Sequence, residues 1–306
     1  MADITYLQAI SIALLQGITE LFPVSSLGHS VLVPALLGGS WAHLVTESST
    51  TSSEQSPYLA FIVALHVATA LALLVYYRDD WIRVIGGFLR TLRTRRVETS
   101  SERLAWLLVV ATIPVGITGL LLEHTFRALF AKPLAAAIFL TLNGLILFAG
   151  EAIRRRSEAR QLALAHGTHA TDPADQQPAR RLETLEYKEA AVIGAFQTFA
   201  LLAGISRSGI SLVGGLVRGL DHQDAAKFAF LLATPVIFAA GILKLPVLAG
   251  PAGHGIHGQI LVGALIAGVS SYLSVKFLTR YFQTRTLIPF AIYCLAGGLL
   301  CVIYFA

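Results

Sequence analysis

The chain has 306 residues, of which 55% are hydrophobic and only 13% are charged, and its mean hydropathy is +0.68. Soluble globular proteins carry about a quarter charged residues, so this composition argues against a soluble protein and indicates a membrane protein. The formal net charge of +5 comes from arginines and lysines between apolar stretches, which indicates membrane topology and gives no reason to expect a nucleic-acid partner.

Six apolar stretches are long enough to cross a bilayer, whose hydrocarbon core of about 30 Å needs roughly 20 apolar residues in a helix. They are 58–77, 104–123, 133–151, 228–248, 259–278 and 287–305. Two further stretches, 4–37 and 187–219, are apolar but interrupted by serine and glycine. The sequence therefore predicts an all-α polytopic membrane protein with six transmembrane helices. Cys294 and Cys301 are too far apart along one helix to bridge each other, so we interpret them as packing residues.

The loop charges predict the path of the second interrupted stretch. Most basic residues lie in three loops, which we place on the cytoplasmic side because cytoplasmic loops are enriched in Lys and Arg. These loops are 78–103, 152–188 and 276–285. The loops 38–57 and 249–258 contain neither Lys nor Arg and are placed outside. A full crossing by 187–219 would move the later loops to the wrong sides, so we predict a re-entrant helical hairpin there.

The first interrupted stretch resembles the second at a constant offset. Gln16 precedes the run Pro-Val-Ser-Ser-Leu-Gly by seven residues, and Gln197 precedes Gly-Ile-Ser-Arg-Ser-Gly by the same seven. Each half then contains one re-entrant hairpin and three spanning helices. Because three is odd, the halves have opposite orientation, which is the inverted-topology repeat plan of many transporters.

The predicted domains follow from this repeat. They are 1–151, a first membrane repeat with its hairpin at 4–37; 152–186, a polar cytoplasmic linker; and 187–306, a second, inverted repeat with its hairpin at 187–219. Residues 46–57 are polar and of low complexity, and we predict an external loop there. Residues 81–96 are basic and amphipathic and favour a helix on the inner membrane surface.

The first hairpin collects polar groups that are costly inside a membrane. Gln16 and Glu20 are four residues apart and share a helix face. Pro23 ends that helix, Ser25 or Ser26 can cap the next one, and His29 lies near its first turn. Intramembrane ionisable residues favour a functional interpretation. The alternatives are a structural ion pair for Glu20 and a core histidine with satisfied hydrogen bonds for His29.

The second hairpin places one arginine among serines and glycines at a helix break. Arg207 stands between Ser206 and Ser208. A guanidinium beside the free N–H groups of a helix N-terminus is suited to phosphate. The alternatives are an arginine that clamps helix-end carbonyls, and serines that only let helices pack closely.

The chain resembles the undecaprenyl-pyrophosphate phosphatase family, also known for bacitracin resistance, over nearly its whole length. The similarity is carried by Gln16-x-x-x-Glu20, by Pro23-Val24-Ser25-Ser26-Leu27-Gly28-His29 and by Gly204-Ile205-Ser206-Arg207-Ser208-Gly209. Two positions depart from the family pattern. Ala203 replaces the usual proline, and Leu27 stands where many members have a small or hydroxylated residue.

The resemblance implies hydrolysis of undecaprenyl pyrophosphate to undecaprenyl phosphate, the lipid carrier for peptidoglycan precursors. It implies a multi-pass protein of the cell inner membrane, with lipids around it and a site open to the periplasmic side. A magnesium or calcium ion would be held by Glu20 with Gln16. The implied catalytic residues are Glu20, Ser26, His29 and Arg207. The implied pyrophosphate-binding residues are Ser25, Gly204, Ser206, Ser208, Gly209 and Ser211.

Several alternatives stay open at this point. The attacking group is Ser26 activated by His29, His29 itself, or a water activated by His29. The main rival function is a lipid transporter or flippase, which needs no nucleophile. A type-2 phosphatidic acid phosphatase is disfavoured, because its Lys-x6-Arg-Pro stretch is missing and no histidine closely follows Ser206-Arg207. A non-catalytic scaffold is the remaining alternative. A homodimer is compatible with the sequence.

Overall fold

The described part of the structure is built from α-helices. A computed structural model describes residues 4–50, 57–130, 132–167, 180–250 and 255–306, and within them we find no β-strand. The helices are α1 (Tyr6–Thr19), α2 (Ser26–Leu37), α3 (Gly39–Thr50), α4 (Pro57–Tyr76), α5 (Arg78–Thr94), α6 (Ser100–Phe130), α7 (Pro133–Gly167), α8 (Tyr187–Phe196), α9 (Arg207–Val217), α10 (His222–Ala249), α11 (His257–Tyr281) and α12 (Ile288–Phe305). The predicted all-helical class is confirmed for these residues.

Five of these helices, α6, α7, α10, α11 and α12, are long and apolar enough to cross a membrane. Four of them contain a predicted span in full, and α12 begins one residue after the start of the predicted span 287–305. Between 22% and 39% of the apolar window is buried inside the protein in α6, α7, α11 and α12, and 56% in α10. Most of the apolar surface of the first four therefore faces outward, as lipid-facing helices require. The remaining predicted span, 58–77, corresponds to α4, which passes the same test only together with α5.

The basic amphipathic helix is confirmed as α5, and its axis makes an angle of 88° with that of α4. Asp79 and Asp80 lie in its first turn and Arg93 in its last, which matches the helix dipole at both ends. Val84 and Thr91 face the protein. A sharp bend at Tyr77 therefore separates an apolar helix from a basic one.

Two predicted loops contain more helix than expected. Residues 39–50 form α3, although their serines and threonines suggested an external loop, and α7 continues to Gly167 through the first part of the predicted linker. The rest of these two segments, 51–56 and 168–179, lies outside the described residues. In the described part of the linker after residue 179, the 3₁₀ turn Leu182–Thr184 precedes α8.

Both interrupted stretches consist of two short helices. The pair α1 and α2 has 14 and 12 residues, and the pair α8 and α9 has 10 and 11. None reaches the roughly 20 residues of a full span. The helix α1 ends at Thr19, four residues before Pro23 and earlier than predicted. The 3₁₀ turn Gln197–Leu201 follows α8.

Small residues let the interrupted helices pack closely against the long ones. A Cβ atom at Gly17 of α1 would lie 2.6 Å from the carbonyl oxygen of Ala267 in α11. Gly204 has a backbone φ of 112°, and a Cβ there would lie 2.5 Å from the carbonyl oxygen of Ala136 in α7. Glycine is required at both positions, which places both breaks against long helices.

Candidate active site

The two helix breaks meet inside the protein and bond to each other. The N–H of Gly204 donates to Ser25 Oγ at 3.1 Å. In the opposite direction, the Ser208 hydroxyl donates to the carbonyl oxygen of Phe22 at 3.2 Å. These two hydrogen bonds join residues that are 179 and 186 positions apart in the sequence. The prediction of one composite site requires such contacts between the breaks.

Asn143 of α7 holds both breaks at once. Its Nδ2 donates to the carbonyl oxygen of Pro23 at 2.9 Å, and its Oδ1 accepts from the N–H of Ser206 at 2.9 Å. The residue is fully buried. The sequence argument did not select Asn143, although a buried amide in the middle of an apolar span is the signal that could have found it.

Each break ends in a serine that caps the following helix. Ser25 Oγ accepts from the N–H of Gly28, and Ser206 Oγ accepts from the N–H of Gly209. Both pairs have the same three-residue spacing and match at the offset of 181 residues found in the sequence. The first N–H groups of a helix lack intrahelical acceptors, so α2 and α9 present two anion-binding ends here.

The carboxylate of Glu20 lies at the centre of the site and is buried. Its Oε2 accepts a hydrogen bond from the Ser26 hydroxyl and another from Gln16 Nε2 at 2.9 Å. Its Oε1 lies 3.9 Å from Nη1 of Arg207. The first break therefore supplies the carboxylate and the hydroxyl, and the second supplies the cation.

His66 of α4 lies beside Glu20, and the sequence argument did not select it. Its Nε2 lies 3.3 Å from Oε2 of Glu20, and its Nδ1 donates to the carbonyl oxygen of Ile62 at 2.8 Å. Because Nδ1 already carries a proton, a second proton must lie between Nε2 and the carboxylate for this contact to be attractive. The signal was present, since His66 is an ionisable residue within the span 58–77.

A small polar pocket of about 40 Å³ lies among these groups. Five of the predicted site residues line it: Glu20, Ser25, Ser26, Ser206 and Arg207. Leu27 and His66 also line it. Nη1 of Arg207 is buried and has no hydrogen-bond partner in the described part of the chain, so it is available to an anion.

His29 lies outside this pocket. Its Nδ1 donates to the carbonyl oxygen of Ser25 at 2.7 Å, and its Nε2 lies 2.8 Å from the Tyr293 hydroxyl. Both nitrogens are engaged, so the structure does not bring His29 to the Ser26 hydroxyl. Ser25 has a backbone φ of 70°, which is uncommon for a residue with a side chain. The imidazole therefore bonds the carbonyl of a strained residue.

The other predicted pyrophosphate-binding residues surround the pocket without lining it. Gly204 and Gly209 donate their N–H groups to the capping serines. The hydroxyl of Ser208 bonds Ser206 and Phe22. Ser211 is buried, and its hydroxyl has no partner among the described residues. In this arrangement Gly204, Ser208 and Gly209 support the residues that line the pocket.

The oxygen atoms at Glu20 fit a hard divalent cation. Oε1 of Gln16 is buried and lacks a hydrogen-bond partner in the described residues, and Oε1 of Glu20 faces Arg207 only at 3.9 Å. No cluster of three or more His, Cys, Asp or Glu suited to a metal occurs in the described ranges. Magnesium is commonly held by one or two carboxylates together with substrate phosphates, so these few oxygens are compatible with such an ion.

Comparison with known proteins identifies the family of this chain. The family profile described as "Bacitracin resistance protein BacA" matches residues 9–300, a range that includes both breaks. The chain belongs to this bacitracin resistance family. Membership covers nearly the whole chain, and together with the five apolar helices it is consistent with a multi-pass membrane protein.

Similar members of the family carry one enzyme name. The chain is 63% identical to undecaprenyl-diphosphatase 2 of Frankia alni, over 100% of this chain and 99% of that protein. It is 54% identical to undecaprenyl-diphosphatase of Mycolicibacterium paratuberculosis, over 97% and 96% of the two chains. Undecaprenyl-diphosphatase 2 of Chromobacterium violaceum is 40% identical, over 97% and 98%. Full-length similarity thus extends to proteins named for one reaction.

Proposed function

We propose that this chain hydrolyses undecaprenyl pyrophosphate to undecaprenyl phosphate and inorganic phosphate. The names of the similar proteins supply the substrate. The reaction regenerates the lipid carrier for peptidoglycan synthesis, and the family description associates it with bacitracin resistance. The observation that carries the proposal is the hydrogen bond from Ser26 to Glu20 in a pocket that also contains Arg207.

The proposed first step uses Ser26 as the nucleophile and Glu20 as the general base. Ser26 Oγ attacks the terminal phosphorus, its proton passes to Glu20, and an Oγ–P bond forms as the bridging P–O bond breaks. The leaving group is the polyprenyl phosphate, which takes the proton from Glu20 as it departs. Water then attacks the phosphoserine and gives its proton to Glu20. The Oγ–P bond breaks, the proton on Glu20 returns to Ser26 Oγ, and inorganic phosphate leaves. A carboxylate already bonded to the hydroxyl fits this role in geometry.

Arg207 and the two helix N-termini are proposed to bind the pyrophosphate. The charge that develops on the bridging oxygen needs fixed donors, and such preorganised donors are a large term in phosphoryl transfer. Arg207 lines the pocket and has a buried Nη1 without a partner. The N-termini of α2 and α9 add N–H groups from both breaks. The capping serines, Ser25 and Ser206, keep those helix ends in place.

We assign positioning roles to the two histidines. His66 donates a hydrogen bond to Oε2 of Glu20, which holds the carboxylate beside Ser26. His29 donates to the carbonyl of Ser25 and stabilises the backbone turn that presents the adjacent Ser26. This arrangement favours Ser26 over His29 as the attacking group, because both nitrogens of His29 are engaged elsewhere.

A magnesium or calcium ion fits this reaction as a partner of the pyrophosphate. Glu20 and Gln16 would hold it, with the remaining ligands from the substrate and water. When bound, the ion would neutralise phosphate charge and make the phosphorus easier to attack. Gln16 Nε2 donates to the carboxylate of Glu20. The glutamine can therefore position this carboxylate while its Oε1 binds the ion.

The proposed membrane arrangement has six spans and two re-entrant hairpins in an inverted repeat. Its support is the shared capping pattern of α2 and α9 at the offset of 181 residues and the segregation of basic loops. We place the protein in the inner membrane with its site open to the periplasm. In this arrangement the two breaks would meet within the membrane.

Phosphate release from undecaprenyl pyrophosphate by the purified protein tests the function. Wild-type protein in detergent is assayed with and without EDTA, and lipid binding is measured in the same samples. Metal-dependent release of inorganic phosphate supports the phosphatase. Tight binding of the lipid pyrophosphate without release, by protein with an intact helical circular dichroism spectrum, would favour the transporter or flippase instead.

A further inference from the structure

A second feature of the protein is an apolar groove of about 510 Å³ between α5 and α6, with Pro235 of α10 at its wall. Phe88 of α5 and Ile113 and Ile117 of α6 are among its lining residues. Of the described residues, none lines both this groove and the polar pocket. The groove is therefore separate from the candidate active site.

The groove contains one unpaired hydrogen-bond donor. Trp81 lines it, and the indole Nε1 is buried without an acceptor among the described residues. A buried tryptophan N–H usually finds a partner. At a membrane interface tryptophan sits at the level of the lipid headgroups. The missing acceptor thus fits an oxygen atom of a lipid headgroup or ester.

The helix that carries Trp81 ends in a cluster of positive charge. Because α5 is bent by 88° from α4, it lies along the membrane surface if α4 crosses the membrane. Arg93, Arg95 and Arg96 at its end are exposed and have no ion pair within the described ranges. Ile82 and Leu89 are also exposed, at 70% and 59%. This combination is typical of helices that bind anionic membrane surfaces.

We propose that α5 and α6 form a binding site for an anionic phospholipid of the host membrane. One acyl chain lies in the groove, the Trp81 N–H faces the ester or phosphate oxygens, and the arginines at the far end of α5 make the surrounding surface positive. The positive charge favours an anionic headgroup over a zwitterionic one. The separation from the polar pocket argues against the isoprenoid tail of a bound substrate as the occupant.

Trp81 itself supplies the probe. In a chain with Trp41→Phe and Trp106→Phe, Trp81 is the single tryptophan. This protein is reconstituted into phosphatidylcholine vesicles that contain either brominated phosphatidylglycerol or brominated phosphatidylcholine, and quenching is followed against the brominated fraction. One arginine near an anionic surface contributes about a fivefold preference. The mole fraction of brominated lipid that gives half-maximal quenching should therefore be at least about fivefold lower for phosphatidylglycerol than for phosphatidylcholine. Arg93→Gln with Arg95→Gln and Arg96→Gln should reduce this preference.

Two glycines of α6 offer a matched test of the groove. Gly116 lines it and Gly119 does not, and a Cβ atom at either position meets no other atom within 4 Å. Gly116→Leu fills the groove and should abolish selective quenching, whereas Gly119→Leu should leave it intact. On the chain with all its tryptophans, native mass spectrometry from mixed-lipid micelles provides a second readout. We expect wild type and Gly119→Leu to retain phosphatidylglycerol and Gly116→Leu to lose it.

Each outcome decides the proposal without reference to phosphatase activity. Equal quenching by the two brominated lipids would overturn the headgroup selectivity. Selective quenching that survives Gly116→Leu would show that the acyl chain of the lipid does not lie in the groove, and would overturn the proposal. Displacement of brominated phosphatidylglycerol by undecaprenyl phosphate, at equal mole fraction, would identify the isoprenoid as the occupant and also overturn the proposal.

Discussion

The hydroxyl of Ser26, the first residue of α2, donates a hydrogen bond to the carboxylate of Glu20, the residue that follows α1. Both side chains are buried and line the pocket that contains Arg207. A serine at a helix N-terminus thus has a proton acceptor in contact and a cation nearby. The proposed reaction depends on this bond.

Arg207→Ala should lower the turnover number by about 10²- to 10³-fold, the range expected for loss of one preorganised donor at a developing charge. Arg207→Lys should restore only part of the rate, because lysine cannot reproduce the guanidinium geometry. Phosphate release from undecaprenyl pyrophosphate gives the rates. Arg218→Ala, at the other end of α9, is the control and should keep wild-type turnover. Unchanged turnover in Arg207→Ala would show that the arginine does not stabilise the developing charge.

His66→Leu should lower the turnover number by about 10- to 100-fold with little change in KM. A hydrogen bond to a charged group contributes about 1.5 to 3 kcal/mol, and this bond orients the Glu20 carboxylate. His66→Gln keeps an N–H donor on the same side and should recover most of the lost rate. Steady-state kinetics of the two variants provide the comparison. Equal losses in both, with a matching fall in thermal stability, would show that the imidazole serves packing only.

The role of His29 can be tested with one variant that keeps the donor to the Ser25 carbonyl and one that removes it. The amide Nδ2 of His29→Asn takes the place of Nδ1 and can still donate to the Ser25 carbonyl, so activity should stay within about tenfold of wild type. His29→Ala should lose more activity and reduce the free energy of unfolding by about 1 kcal/mol. Tyr293→Phe should be nearly silent. If asparagine and alanine were equally inactive while both proteins stayed folded, the imidazole would have an acid–base role.

Removal of divalent cations with EDTA should abolish phosphate release, and added magnesium should restore it. Gln16→Leu removes both the amide oxygen offered to the ion and the N–H that orients Glu20. We therefore expect a magnesium requirement about 10- to 100-fold higher in this variant. Gln197→Leu changes the corresponding buried glutamine of the second break and is the matched control. A full rate in EDTA would contradict the metal site.

The helices and most of the pocket could be predicted because membrane physics constrains them strongly. The span lengths follow from bilayer thickness, and Glu20 and Arg207 stand out because charges inside a membrane are costly. The helix at 39–50 was missed because serine and threonine favour turns and caps over helix interiors in isolation. In this chain α3 packs against α2 and α4, and that tertiary packing is not visible in local sequence.

The differences between the expected and the observed site have a common physical cause. The family resemblance implied His29 as one activator of Ser26, whereas in the structure the ring bonds the Ser25 carbonyl and Tyr293. His66 and Asn143 were missed because each lies in a largely apolar span, outside the two motifs. Their partners lie 46 and 63 residues away, respectively, in Glu20 and Ser206. Only the folded arrangement of the breaks reveals such contacts.

The most direct test of the central proposal is rapid-quench mass spectrometry of the Ser26 peptide. Purified protein is mixed with undecaprenyl pyrophosphate, acid-quenched within one turnover and digested, and Ser26→Ala is treated in the same way. We predict a phosphoryl group on Ser26 during turnover and loss of phosphate release in Ser26→Ala. Wild-type turnover by Ser26→Ala, with no phosphorylated Ser26 peptide at any time point, would contradict a serine nucleophile activated by Glu20.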